Sequence, residues 1–116
     1  MDDVYAIAPS VEIAQSTHTK ADVAAAAADP RISFVVFGPV FATPSKQAWG
    51  DPQGTTALGA VCGQSLPVVA LGGVNSTNAG ACVAAGASGI ACIRPIMSAT
   101  DPGAALTRLF EAIEST

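Results

Sequence analysis

The chain has 116 residues, half of them hydrophobic and only 12% charged, with a formal net charge of −4. That length fits one domain, and such a composition belongs to a buried sheet rather than to a disordered chain. The five Lys and Arg residues are scattered, which argues against nucleic-acid binding. No apolar run reaches the roughly 18 residues of a membrane span.

The first strand is expected at about Val11–Gln15. A helix should follow from Lys20-Ala21-Asp22 through the alanine tract and stop before Pro30. The second strand is Ser33–Phe37, broken by Gly38-Pro39. The second helix is read as Thr55–Gly63. Pro67–Leu71 is a continuous apolar run of the kind buried on both faces. The third helix is capped near Asn75 or Ser76 and ends around Gly86. The fourth strand is Gly89–Ile93. Asp101-Pro102 starts a fourth helix carrying an apolar stripe of Ala105, Leu106, Leu109, Phe110 and Ile113.

Four strands alternating with four helices predict an α/β fold with parallel strands and right-handed crossovers, in a single domain over residues 1–116. An eight-stranded barrel typically takes ~200–250 residues, so four units leave two strand edges open. Val4-Tyr5-Ala6-Ile7 is a candidate for one more short strand. Cys62, Cys82 and Cys92 form no C-x-x-C pair, which disfavours a metal cluster or a disulfide framework and suits reduced thiols in a cytoplasm. The acidic start Met1-Asp2-Asp3 lacks the pattern of a signal peptide.

The candidate site lies where strands end. The second strand opens into Gly38-Pro39-Val40-Phe41-Ala42-Thr43-Pro44-Ser45-Lys46, a loop bearing two hydroxyls and an ammonium within four residues, as phosphate binding requires. It belongs to a long excursion, Ala42 to Gly54, and long loops at the carboxyl ends of parallel strands are often functional. The third strand ends in Leu71-Gly72-Gly73-Val74-Asn75. There, backbone N–H groups and the start of a helix near Asn75–Thr77 could receive an anion, although a glycine pair also serves a tight turn. The fourth ends in Ile93-Arg94-Pro95-Ile96.

Together with Ser16-Thr17-His18-Thr19, Ala70-Leu71-Gly72-Gly73-Val74 and Gly89-Ile90-Ala91-Cys92-Ile93-Arg94, that loop resembles the thiamine phosphate synthase/TenI family over about Val11 to Ile113. Order and spacing match the second half of that family's TIM (β/α)8 barrel. The resemblance implies a thiamine-biosynthesis protein that binds a thiazole phosphate and diphosphate at the C-terminal strand ends. The family's synthase joins a hydroxymethylpyrimidine diphosphate to a thiazole phosphate. Its TenI branch isomerises a thiazole carboxylate phosphate to the aromatic form. A transferase, a tautomerase and a non-catalytic phosphate-binding or regulatory module are thus all open.

The resemblance assigns catalytic positions to Ser16, His18 and Lys46, and substrate or phosphate contacts to Thr43, Ser45, Gly72, Gly73, Ile93 and Arg94. An ammonium and hydroxyls aimed at a leaving diphosphate would stabilise its developing charge. His18 matches the TenI branch's proton carrier, a role suited to imidazole near neutral pH, and can equally be a residue that caps or packs. Many synthases carry serine where Arg94 stands; arginine there could clamp a phosphate or form a structural ion pair. Trp49 could stack on a heteroaromatic ring, and Asp51 and Asp101 are the acids nearest the inferred site. The synthase reaction uses Mg2+, whose ligands belong to the family's first half and have no counterpart here. The expected partners are a phosphorylated small molecule and either a second copy or another complementing half-barrel, the chain otherwise being a fragment. Neither nucleic acid nor membrane is expected.

Overall fold

Every helix buries a pair of residues three or four apart: Val23 and Ala26, Leu58 and Val61, Ala79 and Cys82, Ala105 and Leu109. That spacing returns to one helix face, and mostly small side chains let the helix backbones lie close to a sheet. The computed structural model describes residues 12–41, 52–64, 66–91 and 99–114. Its elements are β1 (Ile13–Thr17), α1 (Lys20–Ala27), β2 (Ile32–Phe37), α2 (Gly54–Cys62), β3 (Val68–Leu71), α3 (Ala79–Ala84), β4 (Gly89–Ala91) and α4 (Pro102–Glu114). The strands form one parallel sheet in the order β1-β2-β3-β4. The expected α/β alternation is therefore present.

Register sorts the side chains into two faces. Thr17 pairs with Phe37, Phe37 with Ala70 and Ala70 with Ile90, one row across all four strands. This row, with Val35 and Val68 below it, faces the helices: Thr17, Val35, Phe37, Val68 and Ala70 are buried, in a core shared with Val23, Leu58, Val61 and Cys82. Burying each Val, Leu or Phe side chain stabilises the fold by roughly 1.5–3 kcal/mol. The opposite face carries Ser16, Val36, Val69 and Gly89 in its own row, with Phe34 below Val36 and Leu71 above Val69. Phe34, Val36 and Val69 are half-buried, and Leu71 keeps 36% of its surface exposed. Among the described residues the apolar run at β3 is thus buried on one face only, Val68 and Ala70 being buried while Val69 and Leu71 are half-buried and exposed. β1 and β4 are the sheet's outer strands among the described residues.

Three elements differ from expectation. β1 runs two residues further than the sequence pattern indicates, so Ser16 and Thr17 lie within the strand. α3 begins at Ala79, not near Asn75. The Asn75 carboxamide oxygen accepts from Thr77 N (2.9 Å) and Thr77 Oγ1 (2.6 Å), a local turn that competes with helical bonding and delays the helix. In α4 the apolar stripe divides. Ala105 and Leu109 are buried and Ile113 packs on the core, whereas Leu106 and Phe110 are 42% and 53% exposed. Asp101 starts this helix as expected, its carboxylate accepting Ala104 N–H at 3.1 Å. The fourth strand is described only to Ala91.

Candidate functional site

The row Thr17–Phe37–Ala70–Ile90 is the last fully paired level of the sheet, so the residues just beyond it form one rim. At β1 that residue is His18, at β2 Gly38, and at β3 Leu71 leads into Gly72 and Gly73. Backbone bonds tie these ends together. Gly38 N–H donates to Thr17 O (3.3 Å), Val40 N–H to Leu71 O (3.0 Å) and Phe41 N–H to Gly72 O (2.9 Å). Close approach at the rim requires glycine. A Cβ on Gly38 would overlap Leu71 O, and one on Gly72 would lie 2.6 Å from Pro39 Cα. Gly72 and Gly73 hold left-handed dihedrals, φ +100° and +67°. The tight-turn role of this pair is therefore real.

His18 is held at both ends of its residue. Its backbone N–H donates to Asp22 Oδ2 (3.0 Å), and its ring Nδ1 lies 2.8 Å from Gly38 O. A carbonyl oxygen only accepts, so Nδ1 is the donor. In the neutral imidazole the lone pair then resides on Nε2. Asp22 closes a capping box with Thr19 at the start of α1. The His18 N–H, and then the Thr19 hydroxyl and N–H, hold the exposed Asp22 carboxyl below its usual range against an opposing desolvation effect; the His18 charge adds to the lowering. Ser16, on the face of β1 that turns away from the core, is exposed and stands opposite Val36. Its neighbour Thr17 turns the other way, fully buried, and donates from Oγ1 to Val36 O at 2.9 Å.

Two residues of the rim carry no sequence signal. Gln53 donates from Nε2 to His18 O (2.6 Å) and to Gly38 O (3.1 Å), while its own N–H donates to Pro39 O (2.8 Å). Asn78 spans the β3 turn, its carboxamide nitrogen donating to Gly73 O (2.9 Å) and its oxygen accepting Asn75 N–H (2.8 Å). Both are amides bridging separate backbone groups, and no periodicity or motif marks such a role. The helix start expected near Asn75–Thr77 to favour an anion is absent there: Asn75 N–H is bonded to Asn78, and the six-residue α3 begins only at Ala79.

The long excursion after β2 leaves and returns at this same rim. Gln53 N–H to Pro39 O and Gly54 N–H to Val40 O (2.9 Å) join its two feet. Thr43, Ser45, Lys46, Trp49 and Asp51 lie outside the described residues, as do Ile93 and Arg94. The structure therefore gathers His18, Gly72 and Gly73 on one rim, with Ser16 one level below the Thr17 row. Asp101 is used as a helix cap. Among the described residues no cluster of three His, Cys, Asp or Glu side chains could hold a metal ion. Asp22, the acid beside the β1 end, is engaged by the N–H groups of His18 and Thr19. Among the described residues, too, no helix is long and apolar enough to cross a membrane.

Residues 1–96 match the family model described as thiamine monophosphate synthase. The chain is 42% identical over 101 residues to the thiamine-phosphate synthase of Gloeobacter violaceus, covering 82% of this chain and 28% of that protein. With the thiamine-phosphate synthase of a Roseiflexus species it shares 39% identity over 90 residues, 77% of this chain and 38% of that one. The solved thiamine phosphate pyrophosphorylase from Pyrococcus furiosus superposes with a TM-score of 0.86 at 28% identity, over 98% of this chain and 54% of its own. The chain thus spans less than half the length of these two curated relatives and about half of the solved one. The expected barrel-type β-α architecture is confirmed by that superposition.

Proposed function

The chain belongs to the thiamine monophosphate synthase family, and on that premise we propose that its strand-end rim binds the phosphorylated thiazole of thiamine biosynthesis. The observation that carries this reading is the shared level of the rim. His18, Gly38, Gly72 and Gly73 follow one paired row, and both feet of the Thr43–Lys46 loop are hydrogen-bonded into it. In this reading Lys46, Thr43 and Ser45 hold phosphate oxygens, the Gly72 and Gly73 N–H groups face an anion, and Ile93 and Arg94 complete the far wall. Ser16 and His18 stand beside the reacting ring. An ammonium preorganised against phosphate oxygens counters charge that develops as diphosphate leaves.

One half of a barrel mouth is not a whole site. The half-buried face of Phe34, Val36, Val69 and Leu71 fits a second set of strands, and the solved relative's chain is nearly twice as long as the part matched here. We therefore assign the opposite wall to the family's first barrel half, supplied by a second copy, by a complementing half-barrel or by the rest of a longer polypeptide; in the family that half also carries the acids for Mg2+. A second reading, proton transfer of the TenI type, is favoured by Arg94, which stands where the family resemblance gives many synthases a serine, while His18 serves either branch.

The test is turnover of both reactions, with Mg2+, by the chain alone and mixed with the first half of a full-length relative, beside calorimetric titration with thiazole phosphate. Thiazole phosphate should bind, Lys46→Ala should weaken that binding at least tenfold, and turnover should need the added half. Condensation would mark the synthase and isomerisation the tautomerase. A sedimentation experiment in which two copies of this chain close on each other would replace the complementing half by a second copy. Binding that is unaffected by Lys46→Ala would overturn the assignment of the loop.

A further inference from the structure

We propose that Gln53 is a positioning residue for His18, fixing the imidazole in the Nδ1–H form and so leaving the lone pair on Nε2. The role of that lone pair in chemistry rests on the tautomerase reading above; the positioning itself does not.

The Gln53 carboxamide nitrogen has two hydrogens and meets two carbonyl oxygens, His18 O at 2.6 Å and Gly38 O at 3.1 Å. Both partners are obligate acceptors, so the nitrogen, not the amide oxygen, must face them. Gly38 O also accepts His18 Nδ1–H at 2.8 Å, filling the two lone pairs of one carbonyl with one donor from Gln53 and one from His18. The result is a closed figure: Gln53 grips the backbone of His18 and the oxygen to which the His18 ring is bonded.

Each part of this figure is anchored from outside. Gly38 sits too close to Leu71 to admit even a Cβ, and its N–H is bonded to Thr17 O. Gln53 is held by its N–H on Pro39 O. His18 N–H is held by Asp22. With His18 O and the acceptor of its ring both bonded to one amide, Gln53 adds a tie between them, and the hydrogen bond to Gly38 O selects the Nδ1–H tautomer. Hydrogen bonding at one imidazole nitrogen selects the protonation of the other, and partners of this kind tune a histidine without touching its ligand. Asp22 is the titratable group that contacts His18 through its backbone, and it does so on the N–H side rather than at the ring.

His18 is the only histidine in the chain, so its ring resonances stand alone. The test is long-range ¹H–¹⁵N correlation of the imidazole, read at a pH above which the ring shifts no longer change. In the wild-type chain Nδ1 should give a protonated-type shift and Nε2 a lone-pair-type shift. In Gln53→Met, which keeps the length and removes both donors, the two nitrogen shifts should move toward each other as tautomers mix, with β2 and β3 amide resonances unchanged. Unmixed shifts in a folded Gln53→Met chain would overturn the proposal. So would a wild-type spectrum of the Nε2–H form, a result that does not depend on any variant folding.

Discussion

Gly38 and Leu71 are packed so tightly that a single added methyl group on the glycine would overlap the leucine's carbonyl oxygen. That oxygen also accepts Val40 N–H, so it cannot retreat without breaking a bond that closes the rim. Gly38→Ala should therefore destabilise the chain by about 1–3 kcal/mol, the usual penalty of overpacking. Gly63→Ala is the control, since a Cβ added there would meet nothing within 4 Å and its φ is −77°. Urea unfolding should show a lower midpoint for the first variant only.

Gly72 and Gly54 separate two costs that usually arrive together. Both have positive φ, +100° and +82°, but only Gly72 has a neighbour, Pro39 Cα at 2.6 Å from an added Cβ. Gly54→Ala should cost only the left-handed conformation, roughly 1–2 kcal/mol. Gly72→Ala should exceed it by about another 1–3 kcal/mol of steric strain. Equal losses in paired denaturation curves would mean that the rim at Pro39 yields.

Thr17→Val keeps the buried shape of the side chain and removes its hydrogen bond to Val36 O. The expected loss is about 0.5–1.5 kcal/mol, while Thr17→Ser, which retains the donor, loses packing instead. A hydrogen-exchange comparison should show faster exchange near the β1–β2 pairing in the valine variant.

Acid should loosen the start of α1. The Asp22 carboxyl titrates below its ordinary value because the His18 N–H and then the Thr19 groups favour its charged form. A depressed folded-state pKa contributes stability that is present above the unfolded value, about 3.9, and is lost as pH falls through the lowered one. The difference in melting temperature between wild type and Asp22→Ala should be constant above about pH 5 and shrink as the pH falls below the unfolded value of about 3.9. A difference that persists unchanged at the acid end would show that the carboxylate is not the stabilising species.

Burial raises the thiol pKa of Cys62 and of Cys82, with the Cys62 charge adding to the shift at Cys82. Cys82 is also fully buried in the core. Thiolate being the reactive form, alkylation mapped by mass spectrometry near pH ~7.5 should modify Cys82 only as fast as the chain unfolds. Cys62, half-buried, should react sooner. Prompt labelling of Cys82 in the native state would contradict the packing of α3.

The alternation of strands and helices was legible because each buried stretch repeats its own period, as in Val23 and Ala26 or Val35 and Phe37. The rim was legible only in part. Gly72, Gly73 and His18 stand out by residue type at strand ends. Gln53 and Asn78 do not, because an amide that bridges backbone groups has no sequence period and no preferred neighbour. The start of α3 escapes the sequence for a related reason. Asn75 and Thr77 satisfy each other in a turn, and the same residue types would cap a helix. The one-sided burial of β3 depends on what covers the sheet, which lies outside the sequence of that strand.

Because the excursion after β2 begins and ends on two hydrogen bonds to the rim, Gln53 to Pro39 and Gly54 to Val40, its length is uncoupled from the sheet. For a loop with closed ends, each doubling of length costs about 0.6 kcal/mol in entropy. A family that keeps this stitched base can vary what its loop grasps while the strands beneath stay the same.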